Sequence, residues 1–427
     1  MPPSSARELA RQVASGQASA EQVVRRYVEA VAAGDGALQA FAAFDAAVAI
    51  QSARAVDRAP AKGPLAGVPI AVKDIIDTAQ YETCYGSSIY RGHRPALDAA
   101  CVALLRRAGA VVLGKTVTAE LATFTPGPTR NPHAPGHTPG GSSSGSAAAV
   151  AAGMAPLALG TQTAGSVIRP ASFCGVVGYK PSVRQVPRSG VKVTSDTLDE
   201  VGLFSSSVDD AALLASVLTL QPEWAAPAVP GRTGPAPDIA WTLTSRGERL
   251  EPAMRQAVEQ AAEQACQAGA RGRPLTWPPS FDRLFDAHLT IQLAETARAL
   301  APEYAYRRSL LSAQLIEAIE QGRRFTQDQY ADALLSARSC AASLDSLFGA
   351  ADVIIAPSAV GEAPASLATT GDPLFNRPWQ LLGCPVIGLP FGRGAHGLPI
   401  GVSVIARPGQ DARLLAAAAW LERCWGR

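Results

Sequence analysis

The sequence carries little charge for its length, and the two signs almost cancel. Lys and Arg together number 38 and Asp and Glu number 36, so the net charge is +2, and only 17% of the residues are charged. Such a chain has no basic surplus to attract nucleic acid or an acidic membrane surface. It also has no run of about 18 apolar residues, which argues against a membrane-spanning helix. We therefore expect no nucleic acid and no membrane among its partners.

Cysteine and histidine are too few and too scattered for a disulfide framework or a metal site. The seven cysteines are odd in number, no Cys-x-x-Cys pair occurs, and the chain has only five histidines. Cysteines in a cytoplasm are usually reduced. Residues 1–8 also lack the basic and then apolar plan of a signal peptide. The sequence thus predicts a cytoplasmic protein with no metal and no other cofactor.

Apolar residues make up 47% of the chain, which is enough for an extensive core. Segments typical of strands, such as 68–76 and 399–405, alternate with segments typical of helices. This alternation predicts an α/β fold with a mixed, largely parallel central β-sheet that is covered by helices on both faces. Because strand patterns flank a helical stretch, we expect a single domain, 1–427, with a mostly helical insertion at about 245–348.

Residues 139–182 are the most informative stretch because they hold two islands of glycine and serine. The first island is Gly-Gly-Ser-Ser-Ser-Gly-Ser at 140–146, and the second is Gly-Thr-Gln-Thr-Ala-Gly-Ser at 160–166. Glycine lets backbone N–H groups approach a ligand closely, and a serine beside several such donors suits acyl transfer. A flexible linker is the alternative, but Val150 and Leu157 between the islands are core-type residues.

Together with Gly-Val-Pro-Ile-Ala-Val-Lys at 67–73, the two islands resemble the signature of the amidase signature family. The resemblance covers nearly the whole chain and includes the late segments Gly-Cys-Pro and Gly-Leu-Pro-Ile-Gly-Val. It implies the amidase signature fold and a Ser-Ser-Lys triad. In this sequence the triad would consist of Lys73, Ser142 and Ser166, with a cis peptide bond before Ser142.

The same resemblance implies a mechanism. Neutral Lys73 would accept a proton from Ser142, and Ser142 would accept the proton of Ser166 as it attacks the amide carbonyl. The resulting acyl-enzyme would then be hydrolysed by water. Lys73 lies in the apolar segment 68–76, which predicts a buried strand that ends near it. From the residues alone, this lysine either reaches solvent at the strand end or is buried with a lowered pKa.

The resemblance places the oxyanion at the backbone N–H groups of Thr163, Ala164, Gly165 and Ser166. It also makes Thr161 a candidate hydrogen-bonding support for the network. The family usually has Gly-Gly-Ser where this chain has Ala-Gly-Ser. If Ala164 had to adopt a positive φ, the loop would be strained.

Three other patterns are weaker. Ser143 is central in a Gly-x-Ser-x-Gly motif, but Pro- and Gly-rich residues precede it where a nucleophile elbow needs a strand. Residues 189–192 fit Ser-x-x-Lys, yet no Lys-Thr-Gly follows. His133 and His137 have the spacing of a helical metal pair, but their segment contains too many prolines and glycines for a helix.

Arg169 bears on the substrate. The order Ser-Val-Ile-Arg-Pro at 166–170 resembles malonamidase-like amidases, which implies hydrolysis of a small amide such as the acid amide malonamate. Arg169 would then bind the substrate carboxylate through its planar guanidinium group. The alternative is an internal salt bridge between Arg169 and an Asp or Glu.

Two interpretations of the function follow. The main one is an amidase that hydrolyses the C–N bond of a small-molecule amide, acting alone or as a homodimer. The alternative is the A-type subunit of the glutamine-dependent tRNA amidotransferase, which shares the signature and works with partner subunits. A non-catalytic binding protein on this fold is disfavoured, because all three triad residues are present.

Overall fold

The computed structural model describes residues 5–225 and 235–426, and over these ranges the chain forms fifteen α-helices and eleven β-strands. The helices are α1 (Ala6–Ala14), α2 (Ala20–Leu38), α3 (Ala46–Arg58), α4 (Ala100–Arg107), α5 (Ser144–Ala151), α6 (Ile168–Cys174), α7 (Val208–Leu218), α8 (Pro252–Gln267), α9 (Arg283–Ala299), α10 (Ala301–Arg307), α11 (Ala313–Gly322), α12 (Gln327–Ala341), α13 (Leu344–Phe348), α14 (Arg377–Leu381) and α15 (Asp411–Cys424). The strands are β1 (Phe41–Phe44), β2 (Pro69–Lys73), β3 (Val111–Thr116), β4 (Leu157–Gln162), β5 (Val177–Lys180), β6 (Glu200–Ser205), β7 (Asp238–Trp241), β8 (Arg271–Pro274), β9 (Val353–Pro357), β10 (Val386–Arg393) and β11 (Pro399–Ile405).

All eleven strands join one sheet in the order β1-β3-β2-β4-β6-β5-β10-β11-β9-β7-β8. Helices α5 and α6 pack on one face, and α7, α8 and α15 pack on the other. The predicted α/β class, with a mixed sheet covered by helices, is confirmed. Parallel pairing does not predominate, however: among the described strands four neighbouring pairs are parallel and six are antiparallel. The reason is that β5, β6, β10 and β11 pair antiparallel in a continuous central block.

Two neighbouring parallel strands, β2 and β4, direct the chain toward the site. Every residue of both strands is buried, as expected for strands covered on both faces. Because parallel strands end at the same edge of a sheet, the residues that follow β2 and β4 are brought together. Lys73 is the last residue of β2, and the second glycine–serine island begins within β4.

Helix α5 begins within the first island and packs against both strands. Its small residues allow a very close approach to the neighbouring backbone. A Cβ atom on Gly145 would lie 2.2 Å from the carbonyl oxygen of Ala40 and 2.5 Å from the nitrogen of Val117, so only glycine fits there. This contact fixes the start of α5, and with it the first island, against the end of β3.

Helices α8 to α13 form most of the stretch 245–348, and α9 packs against α11, α12 and α14. The strands β9, β10 and β11, which follow this stretch, join the same sheet as β1 to β6. The stretch also contains β8, an exposed strand at one edge of the sheet. The division into one domain with a helical insertion stays a prediction. Within the described ranges, no helix is both long and apolar enough to cross a lipid bilayer.

Candidate active site

Lys73 is fully buried at the end of β2. Its Nζ atom lies 2.8 Å from Ser142 Oγ and 2.7 Å from Thr161 Oγ1. Burial lowers the pKa of Lys73 from 10.5 to about 7, and the negative charge of Asp199 opposes this change. A substantial fraction of the amine is therefore neutral near physiological pH, and a neutral amine can accept a proton.

Ser142 lies in the loop before α5 and is 2% exposed. The peptide bond between Gly141 and Ser142 is cis, as the family resemblance implied. Gly140 has a φ of +82°, and a Cβ atom there would lie 2.7 Å from the Cα atom of Pro170. The carbonyl oxygen of Gly141 accepts a hydrogen bond of 2.6 Å from Arg169 Nη2. The loop that carries Ser142 is thus held against the start of α6.

The hydroxyl group of Ser143 is hydrogen-bonded to the backbone of Thr161. Its Oγ atom donates to the carbonyl oxygen of Thr161 at 3.1 Å and accepts from the Thr161 N–H at 3.2 Å. The side chain is fully buried. The residue before it lies in a loop rather than a strand, so the nucleophile-elbow interpretation is set aside.

Ser166 lies in the loop between β4 and α6 and lines a cavity of about 420 Å³. Gln162 holds this loop in place, because its Oε1 atom accepts hydrogen bonds from the N–H groups of Val167 at 2.9 Å and Ile168 at 3.1 Å. Of the expected chain of hydrogen bonds, the link between Lys73 and Ser142 is present. No hydrogen bond joins Ser142 to Ser166 among the contacts of the described residues. Catalytic hydrogen bonds often shorten only when substrate binds.

The expected oxyanion donors are free to donate hydrogen bonds to a ligand. The N–H groups of Ala164, Gly165 and Ser166 donate to no other residue within the described chain. Ala164 and Ser166, together with Thr163, line the cavity. The φ angle of Ala164 lies outside the left-handed region, so the exchange of glycine for alanine leaves this loop unstrained.

Arg169, near the start of α6, is 3% exposed, and its side chain joins the loop that contains Gly141 to the loop that contains Thr370. Its Nε atom donates to the carbonyl oxygen of Thr370 at 2.7 Å, and its Nη2 atom also reaches Thr370 Oγ1 at 3.1 Å. Burial lowers the pKa of Arg169 to about 10, and the charge of Asp372 opposes this change. Asp372 itself pairs with Arg249 at 3.6 Å. Within the described chain, Nη1 of Arg169 has no hydrogen-bond partner and no carboxylate forms an ion pair with this guanidinium.

Sequence reasoning missed two charged residues of the site. Arg377, the first residue of α14, lines the same cavity, and its buried Nε atom has no partner among the described residues. Asp199 accepts a hydrogen bond from Thr163 Oγ1 at 2.5 Å and raises the pKa of Lys73. The only available signal for Asp199 is a pair of acids at the start of an apolar segment, and no local pattern marks Arg377.

Part of the cavity lining comes from the helical stretch that the sequence predicted as an insertion. Helix α9 contributes Leu289, Gln292 and Leu293, and α11 contributes Gln314, Glu317 and Gln321. The loops that carry Ser142 and Ser166 are connected to the central sheet, whereas this part of the cavity lining comes from α9 and α11.

A model of the family described as Amidase matches residues 22–415, which is most of the chain. The chain belongs to the amidase family. This fold matches a solved chain with a TM-score of 0.89. That chain belongs to a vestigial protein complex that reveals the evolutionary origins of an s-triazine catabolic enzyme. The identity is 30%, and the match covers 98% of both chains. The protein is therefore an enzyme of the amidase family, whose members act on amide C–N bonds.

The curated relatives of this amidase-family chain are named as amidotransferase subunits, whereas we expected amidases for small amides. The glutamyl-tRNA(Gln) amidotransferase A subunit of Rhodopirellula baltica is 33% identical over 97% of this chain and 95% of that protein. The protein of the same name from Thermus thermophilus is 32% identical over 99% of this chain and 97% of that protein. These relatives contradict our main expectation, an amidase for a small amide such as malonamate, and favour its alternative.

The relatives also contradict the expected partners, which were a small molecule alone, with no nucleic acid and at most a second copy of the chain. The error has a physical cause. Net charge describes the surface of this chain only, and it does not report what other subunits of a complex bind.

Proposed function

We propose that this chain is the amide-cleaving, A-type subunit of a tRNA-dependent amidotransferase. The observation that carries the proposal is the nearly full-length similarity to glutamyl-tRNA(Gln) amidotransferase A subunits, at 33% identity with the Rhodopirellula baltica protein. In the proposed division of labour, this chain releases ammonia from an amide donor. Partner subunits hold the glutamyl-tRNA and activate its carboxyl group with the terminal phosphate of a nucleoside triphosphate, and the ammonia then displaces that phosphate to form the amide.

The proposed catalytic triad is Lys73, Ser142 and Ser166. Neutral Lys73 accepts the proton of Ser142, from which it is 2.8 Å away, and Ser142 accepts the proton of Ser166. The Ser166 Oγ atom then attacks the amide carbonyl and forms a tetrahedral intermediate. Thr161 lies 2.7 Å from the same amine and holds it in place.

The oxyanion of this intermediate lies at the free N–H groups of the loop 163–166, with Ala164 and Gly165 as central donors. When the C–N bond breaks, the leaving nitrogen takes its proton back through Ser142 and departs as ammonia. Water then attacks the acyl group on Ser166 with the same base and releases the acid. Ammonia is thus produced in the cavity of about 420 Å³ that Ser166 lines.

Glutamine is the amide donor that we propose, because it combines a side-chain amide with a free carboxylate. Arg169 and Arg377 line the cavity, and each has a buried N–H without a partner in the described chain. A carboxylate would receive charge-assisted hydrogen bonds from these groups. The feature shared with malonamidase-like amidases, an arginine three residues after the nucleophile, therefore serves here to bind the acid group of the donor. We place the reaction in the cytoplasm, in keeping with the free cysteines of the described chain.

The test is amide transfer by the complex. We expect a tagged chain, purified from its native cells, to bring partner subunits with it and, when a nucleoside triphosphate is supplied, to move labelled amide nitrogen from glutamine to glutamyl-tRNA. Ser166→Ala should bind the same partners but fail to use glutamine, and free ammonia should restore amidation because only the release step is lost. Ser189→Ala removes an exposed serine outside the cavity and is the matched control.

Two results would contradict the proposal. One is a chain that purifies without partners, transfers no nitrogen to glutamyl-tRNA and still hydrolyses amides. The other is a Ser166→Ala complex that still transfers nitrogen from glutamine as the Ser189→Ala control does.

A further inference from the structure

The oxyanion loop is held at Thr163 by two buried side chains that come from distant parts of the chain. The Thr163 hydroxyl donates to Asp199 Oδ1 at 2.5 Å. The Thr163 carbonyl oxygen lies 2.9 Å from Nε2 of His288, which is carried by α9. Asp199 is itself fixed, because its Oδ2 atom accepts N–H hydrogen bonds from Thr194 at 2.7 Å and Ser195 at 3.1 Å.

His288 has a defined tautomer in this contact. A carbonyl oxygen only accepts hydrogen bonds, so Nε2 of His288 carries the proton. Burial and the charge of Arg377 lower the pKa of His288 to about 3, so the ring stays neutral at ordinary pH. The side chain is fully buried, and its Nδ1 atom has no partner in the described chain. The contact with Thr163 is therefore the one hydrogen bond of this ring within the described residues.

Helix α9 also holds the segment that carries Asp199. Two turns beyond His288, Glu295 accepts hydrogen bonds from Ser195 Oγ and, at 3.0 Å, from the Thr197 N–H. One helix therefore braces both the carbonyl of Thr163 and the segment whose aspartate holds the hydroxyl of Thr163. This helix also contributes residues to the lining of the cavity.

The carbonyl of Thr163 matters because of the geometry of the peptide unit. The C=O of Thr163 and the N–H of Ala164 belong to one planar trans peptide and point in opposite directions. If His288 fixes the direction of the carbonyl, it also fixes the direction of the Ala164 N–H toward the cavity. A small rotation of this peptide would turn an oxyanion donor away from the reacting carbonyl oxygen.

We propose that His288 is a positioning residue of the oxyanion hole, which acts through the Thr163–Ala164 peptide. The inference deepens the proposed function, because it rests on Ser166 as the nucleophile and on the Ala164 N–H as an oxyanion donor. Loss of one oxyanion donor lowers kcat by about 10²–10³-fold. Since His288 acts on the direction of a donor that remains present, we expect a kcat about 10–100-fold lower, with KM changed little.

The test compares three substitutions that differ in the hydrogen bond they can make. In His288→Gln the amide nitrogen reaches the position of Nε2, in His288→Asn it falls short, and His288→Leu has no donor. The first readout is ammonia release from glutamine by the complex. The second is labelling of the isolated chain with an alkyl fluorophosphonate, in which Ser166 Oγ forms a bond to phosphorus and fluoride leaves. The phosphoryl oxygen occupies the oxyanion hole in that reaction, so it reports on the hole without any amide donor.

We expect His288→Leu and His288→Asn to lose about 10–100-fold in kcat and in the limiting labelling rate, and His288→Gln to recover most of both. His133→Leu is the matched control, because it removes a histidine Nε2 contact of the same length, 2.9 Å to the carbonyl oxygen of Cys174, outside the cavity. The inference is overturned if His288→Gln is as slow as His288→Leu, or if the loss appears in KM with kcat intact.

Failure of this inference can be told apart from failure of the proposed function. If Ser166→Ala abolishes labelling while His288→Leu is labelled at the wild-type rate, the nucleophile stands and the role of His288 falls. If Ser166→Ala is labelled as fast as the wild type, the nucleophile is elsewhere and both proposals fall. Should His288→Leu fail to fold, as judged by thermal unfolding, the comparison of the Gln and Asn variants decides the question.

Discussion

Lowering the pH should switch off amide cleavage by protonating Lys73. Burial lowers the pKa of this lysine from 10.5 to about 7. The ammonium form has no lone pair and cannot accept the proton of Ser142. Activity that depends on the neutral amine is therefore present above the folded-state pKa and is lost as the pH falls through it.

The size of the effect follows from the same pKa. With a pKa of about 7, about nine-tenths of the amine is neutral at pH ~8, about one-tenth at pH ~6 and about one-hundredth at pH ~5. An ordinary lysine would be neutral in only about one molecule in 3,000 at pH ~7. Burial thus raises the concentration of the base roughly a thousandfold near neutral pH.

The assay is kcat/KM for ammonia release from about pH 5 to about pH 9, which reports the ionisation of the free enzyme. We expect a tenfold loss per pH unit on the acid side, with a midpoint of about 7. Because the charge of Asp199 raises the pKa of Lys73, Asp199→Asn should move that midpoint to lower pH. An acid limb that is absent, or one that survives unchanged in a Lys73→Ala variant, would refute the reasoning.

Two further predictions concern the buried cations. Arg169→Ala should reduce kcat/KM for glutamine by about 10–100-fold, as the loss of a charge-assisted contact is worth about 1.5–3 kcal/mol; Arg169→Lys should restore little of it, because an ammonium cannot reproduce the guanidinium fork. Equal losses with a neutral amide of similar size, measured under the same conditions, would mean that Arg169 only braces Gly141 and Thr370. Lys73→Met should remove activity yet raise Tm at neutral pH, because the cost of burying the amine is fully present below about pH 7 and fades as the pH rises toward 10.5. The Tm difference should shrink between about pH 7 and about pH 9 in thermal unfolding, and a constant difference would contradict the assigned pKa.

Several strands of the sheet could be predicted from the sequence. Both of their faces are covered, so their sequences are continuous apolar segments. The segment 68–76 predicts a strand that ends near Lys73, and β2 ends at that residue. The segment 399–405 coincides with β11.

Three strands, β6, β7 and β8, were not predicted from the sequence, and β6 and β8 show why. β6 begins with the buried acid Glu200 and contains a glycine, and β8 reads Arg-Gly-Arg-Pro and is exposed along its whole length. Neither strand is a continuous apolar segment. They form because partners in the sheet are available, β4 and β5 for β6 and β7 for β8. This information lies in the tertiary structure and not in the local sequence.

The site likewise contains residues that lie in local motifs and contacts that join distant segments. Lys73, Ser142 and Ser166 each lie in a contiguous motif, and the resemblance of these motifs to the amidase signature predicts that the three residues meet in one centre. The structure contains the hydrogen bond between Lys73 and Ser142. The bond between His288 and Thr163 spans 125 positions and joins a helix to a loop with no shared pattern. Sequence also could not show that Arg169 lacks an internal carboxylate partner among the described residues, because that depends on where Asp372 and Arg249 fold.

The most direct test of the central claim is the mass of the covalent intermediate. The complex should be mixed with glutamine and quenched in acid within one turnover, and this chain should then be studied by intact-protein and peptide mass spectrometry. The account predicts an adduct equal to glutamine less ammonia, located on Ser166 and absent from Ser166→Ala. Rapid release of ammonia with no adduct on Ser166, or with the adduct on another residue, would contradict it.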